Sequence, residues 1–201
     1  MYFAIVGIVY FATLAMMIRE GIWSNTITLF NIVLSGLIAF GFYAPLTILV
    51  DEWLDGEFTY VLDFLMIWAV FVVAMIVTRL LSDRLSRTRL RLKHPLDAIG
   101  GPVVALIGAF VMSSFVAATL YTAPLAKDTM GGKLAIEPAD VGQASALTAP
   151  EMYWLRRVEQ LGKTDGYGGG PNRFDAPGFV KIYVGHREAL QQAKSLKVDR
   201  G

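Results

Sequence analysis

The 201-residue chain contains no cysteine. That excludes disulfides, thiolate chemistry and cysteine-based metal sites, and it fits a reducing or an oxidising compartment equally. Charge is the second scarcity: Asp, Glu, Lys and Arg make up 17% of the residues, against about 25% in an ordinary soluble domain. The deficit is local, because only seven of the 18 Lys and Arg and eight of the 17 Asp and Glu precede Thr122. Histidine is scarce too, with only His94 and His186, which are expected on opposite sides of a membrane and so form no metal-binding pair. HExxH, GxSxG and GxxxxGK[ST] patterns are absent. Together these absences argue against an enzyme and predict no cofactor.

What is abundant is apolar sequence: 55% of residues are hydrophobic and the mean hydropathy is +0.51. A bilayer core about 30 Å thick takes roughly 20 helical residues. Four stretches meet that length, at about 1–18, 23–46, 60–81 and 99–121. Four nearly uncharged runs leave too little polar surface to cover them in water, and Trp23, Trp53, Phe58, Tyr60 and Tyr121 fall where an interfacial aromatic belt is expected. The fold class read from this pattern is all-α, a polytopic membrane protein with a four-helix transmembrane domain (1–125) and a polar C-terminal tail (126–201). The first run lacks the basic flank and cleavage site of a signal peptide and is expected to be retained.

The connection between the third and fourth runs carries Arg84, Arg87, Arg89, Arg91 and Lys93 with one acid, whereas the preceding connection carries Asp51, Glu52, Asp55 and Glu57 with no base. Short basic loops stay in the cytoplasm, so 82–97 is expected there and both termini outside. The five cations are expected to meet anionic lipid headgroups, each worth about 1 kcal/mol near the surface.

Helices associate in lipid through small residues. The fourth run offers Gly101, Ala105, Gly108 and Ala109, and the second offers Ser35, Gly36 and Ala39, so these two helices are expected to touch; a dimer interface is the competing use of the same faces. Asn31, the deepest amide, either bonds across to another helix or lines a solute path. Asp63 and Arg79 lie at opposite ends of one helix, each expected to meet headgroups or a neighbouring loop. No run has a central ionisable group, which argues against a proton-coupled or ion-coupled pump. Asp97 is placed to cap the fourth helix, with Pro102 in its first turn.

The tail is punctuated by Gly and Pro, with 166–171 as its expected flexible linker. Helical spacing recurs over 149–161 and 179–196, the latter interrupted by Gly185. Trp154, Arg156 and Arg157 are expected either on the bilayer surface or against the second tail helix. The tail's net charge of about +2 is too balanced for nucleic-acid binding, and it reads as a loosely structured appendage.

Arg19-Glu20-Gly21 after the first helix, and Leu96-Asp97-Ala98-Ile99-Gly100-Gly101-Pro102 leading into Val103 to Gly108, resemble the CvpA family, the colicin V production proteins of the bacterial inner membrane. The resemblance covers about residues 1–125 and supplies no catalytic residue. It implies a non-enzymatic scaffold or accessory protein in colicin V-type toxin production or secretion, or in envelope homeostasis, whose partners are membrane lipids, a secretion or envelope protein, or further copies of the chain. The alternative is an oligomeric channel or transporter component in which Asn31, Gly36 and Gly108 face a lumen.

Overall fold

A computed structural model describes residues 1–54, 59–85, 96–125, 144–145, 148–162 and 174–192. All regular structure among them is helical: α1 (Tyr2–Met17), α2 (Ile22–Trp53), α3 (Thr59–Leu85), α4 (Leu96–Thr119), α5 (Pro150–Gly162) and α6 (Ala176–Gln192). Three of them, α2, α3 and α4, are long and apolar enough to cross a membrane. The first expected span forms a helix of 16 residues, which reaches about 24 Å at 1.5 Å per residue and is shorter than the other three.

The long helices overrun their expected limits. α2 continues through Pro45 to Trp53 and is 32 residues long; Pro45 removes a single N–H from the ladder without ending the helix. α4 begins at Leu96, so Pro102 lies in its second turn and not its first.

The helices do not form a symmetric ring. α2 and α4 stand side by side, α3 packs on α2, and α1 packs on α4. The outer faces are apolar and exposed, as at Phe11, Phe30, Val73 and Ile107, whereas Asn25, Asn31, Ser35, Ser113 and Ser114 are buried. In water that distribution would be inverted. It suits a molecule whose backbone is satisfied within helices and whose exterior is lipid. Ser113, Thr119 and Thr122 return their hydroxyls to the carbonyls of Phe110, Val116 and Thr119, at 2.9, 2.8 and 2.8 Å, so none of these three needs a partner on another helix.

The tail departs most from expectation. α5 packs along α4, and its Met152, Trp154, Leu155 and Val158 join one core with Phe40, Phe71 and Phe115 of α2, α3 and α4. α6 adds Phe179, Val180 and Tyr183 to that core and runs through Gly185 without a break. In place of a loose appendage, the described part of the tail forms two docked helices. The expected linker at 166–171 lies outside the described residues.

Candidate functional site

The centre of the molecule is a seam between α2 and α4 that is filled from the tail. Gly36 has no side chain, and a Cβ built on it would stand 2.5 Å from Cζ2 and 2.7 Å from Cη2 of Trp154. The indole therefore rests against the α2 backbone at a position where only glycine leaves room. Around it, the Phe115 ring lies 5.4 Å from Trp154 edge-on and stacks on Phe71 at 4.4 Å, and Phe40 lies 6.2 Å from Trp154. Such ring contacts contribute about 0.5–1.5 kcal/mol each beyond burial, so the docked position of α5 is specific.

Polar contacts tie the tail helices to the end of the bundle where α1 begins and α4 ends. The Tyr2 hydroxyl donates to Glu151 on α5. On α6, the Tyr183 hydroxyl donates to Asp63 of α3 at 2.6 Å and also bonds the Tyr43 hydroxyl of α2. Arg187 donates to the Leu120 carbonyl and sits 5.2 Å over the Tyr121 ring. Asp63 thus meets a tail helix, where headgroups or a loop were expected. Burial raises the pKa of the Glu151 carboxyl, opposed by the Tyr2 hydrogen bond. Burial, reinforced by Tyr43 and Asp63, likewise raises that of Tyr183, while burial lowers that of Arg187.

The residues singled out from sequence divide among several contacts. Ser82 donates to Asn31 Oδ1 at 2.9 Å, a bond between α2 and α3, and Ser35 meets Thr78 of α3 at 3.2 Å. Ala39, Ala105 and Ala109 are fully buried. Gly101 abuts the Glu20 carbonyl at the α1–α2 turn, and Gly108 faces the Met17 thioether of α1. Asp97, expected to cap its own helix, lies in the first turn of α4 and accepts the Ile22 N–H of α2 at 2.8 Å. It caps the neighbouring helix because the tight turn at Gly21 brings that free N–H against it. Arg84 is exposed at the end of α3; Arg87, Arg89, Arg91 and Lys93 lie outside the described residues.

Sequence reading missed Asn25, which is fully buried and donates Nδ2 to the Gly101 carbonyl at 2.9 Å and to that of Glu20 at 3.3 Å. It also missed Trp154 as a core residue. Its signal was the apolar stripe Met152, Leu155 and Val158 beside a bulky aromatic. A cleft of about 90 Å³ remains between α2 and α3, lined by Trp23, Ser24, Thr28, Asn31, Arg79 and Asp83. Among the described residues no group of three or more His, Asp or Glu could hold a metal ion.

The sequence profile of the family described as "Colicin V production protein" matches residues 3–139. The chain belongs to the colicin V production protein family. No curated protein and no solved structure matches it. The colicin V production match takes in α1 to α4 and ends before α5. The family's stretch is therefore the bundle with its Gly36 seam, and the helices that fill the seam come from outside it. At family level the chain is a membrane protein associated with colicin V production.

Proposed function

We propose that the chain is a four-span protein of the bacterial inner membrane that acts, without catalysis, as a scaffold or accessory component in colicin V-type toxin production or secretion, or in envelope homeostasis. Its partners in this reading are membrane lipids together with an envelope or secretion protein or further copies of itself. α1 serves as the fourth span: it carries no charge, packs on α4, and exposes Phe3, Ile8, Phe11 and Met16. Its roughly 24 Å leaves a mismatch of a few ångströms, which local thinning of the bilayer accommodates. The basic 82–97 connection then faces the cytoplasm, and the tail docks on the bundle from the outer side.

One observation carries the preference for a scaffold over a channel. The faces that could have lined a lumen are occupied by the chain's own side chains, Gly36 by Trp154 and Gly108 by Met17, and Asn31 is bonded to Ser82. The test pairs two measurements. Vesicles reconstituted with the full chain should pass no ions or small solutes, and cells lacking the protein should regain toxin secretion with Asn31→Leu as well as with wild type. Flux through wild-type vesicles that Asn31→Leu abolishes would replace the scaffold with the path-lining alternative.

A further inference from the structure

The α2–α3 cleft holds an unusual set of groups for the edge of a membrane bundle. Arg79 and Asp83 stand one turn apart on α3, and no ion pair or hydrogen bond ties either to another described residue, although both line the same space. Opposite them α2 presents the Ser24 and Thr28 hydroxyls and the Asn31 amide. Asn31 is 98% buried, being 2% exposed, and Ser82 fixes it through Oδ1. That bond leaves the Nδ2 hydrogens with no described acceptor. Trp23 closes the cleft with an amphipathic ring of the kind that settles at headgroup level.

The charges are complementary to a zwitterion. The Arg79 guanidinium, the Asn31 amide and two hydroxyls are donors suited to a phosphate, while Asp83, about 6 Å further along the axis by rise, is an acceptor suited to a primary ammonium. An ethanolamine headgroup extended along α3 places its two charges over a similar length. Below the cleft, Ile76, Val72 and Leu65 continue the Arg79–Asp83 face of α3 at helical spacing and are exposed, which gives acyl chains an apolar track leading away from it.

From this arrangement we infer that the cleft is a headgroup site for phosphatidylethanolamine. An anionic glycerol headgroup gives Asp83 no cation, and a choline headgroup has no N–H to donate to it. The site is separate from the tail-filled seam and does not depend on the scaffold reading above.

The full-length protein in detergent, exposed to equal amounts of phosphatidylethanolamine, phosphatidylglycerol and phosphatidylcholine, is expected to retain the first about tenfold over the others by native mass spectrometry, the scale of one charge-assisted hydrogen-bonded pair. Arg79→Gln should lose phospholipid of every class from this site. Asp83→Asn should keep phospholipid but lose the preference, a change of selectivity that a misfolded variant would not produce. Lys181→Gln, which removes an exposed cation on α6 outside the cleft, should behave as wild type. Excess glycerophosphoethanolamine should fail to displace the lipid; displacement would mean that the site takes a soluble headgroup and would overturn the assignment to lipid. Equal or better retention of phosphatidylglycerol by wild type, or an unchanged preference in Asp83→Asn, would overturn the zwitterion assignment.

Discussion

Gly36→Ala is the sharpest probe of the seam. The new Cβ would stand 2.5 and 2.7 Å from two indole carbons of Trp154 and 3.1 Å from Cδ2 of Phe115. Normal contact begins near 3.5 Å, so the ring must retreat by about an ångström, and an indole wedged among Phe40 and Phe115 cannot do so by rotating one bond. Overpacking of this kind costs about 1–3 kcal/mol. Against it, Ala is better than Gly in a helix interior by about 0.8–1 kcal/mol. Global melting would therefore blur the effect, and the assay should read α5 alone. The chain has no native cysteine, so Met152→Cys, at a fully buried position on α5, supplies one thiol that reacts with maleimide only when the helix lifts. With opening fast relative to labelling, Gly36→Ala should speed the reaction about 5- to 150-fold, since each 1.4 kcal/mol is a factor of ten. Trp154→Phe removes the far half of the indole, including Cζ2 and Cη2, and in that background Gly36→Ala should have little further effect. Equal labelling rates in Gly36→Ala and its parent, or an undiminished effect in the Trp154→Phe background, would refute the wedge.

Three other outcomes follow from the same contacts. Because burial raises the pKa of Glu151 in the docked state, that state binds the proton more tightly than the released one, so docking is favoured at low pH and weakens as pH rises through the raised value; Met152→Cys labelling, normalised to an exposed thiol, should climb with pH in wild type and stay flat in Glu151→Gln. A double-mutant cycle of Asp63→Asn and Tyr183→Phe, read by the same labelling, should give a coupling of about 1.5–3 kcal/mol, the range for hydrogen bonds to charged groups. Asp97→Ala removes the acceptor for the first N–H of α2 and should lower thermal stability in detergent by about 0.5–2 kcal/mol, with Asp97→Asn losing less.

The long helices were legible because lipid imposes one requirement on every residue of a span, and that requirement is local. Runs of Ile, Leu, Val and Phe without charge reveal α2, α3 and α4 whatever they pack against. Contacts were legible only as candidates. Ser35, Gly36 and Ala39 mark a face where something approaches closely, but a missing side chain does not name its occupant. Gly36 turned out to hold an indole from the tail, whereas Gly41, on the same helix, meets nothing within 4 Å. Asp97 shows the same limit: its chemistry as a cap was readable, and which helix it caps depended on the Gly21 turn bringing another N-terminus alongside. The tail was hardest, because its frequent Gly and Pro are equally compatible with a loose chain and with short helices docked between turns, and the deciding contacts lie far upstream.

The Tyr2 to Glu151 bond joins residues 149 positions apart, and that separation has a meaning during synthesis. At about 5–20 residues per second, Tyr2 is made roughly 7–30 seconds before Glu151, and the end of α4 roughly 2–6 seconds before it. Between the completion of α4 and the arrival of α5, the α2–α4 seam stands open at Gly36 to lipid or to any neighbouring helix. α5 and α6 therefore act as internal finishing pieces, and a product cut short before them would keep an unfilled notch at Gly36.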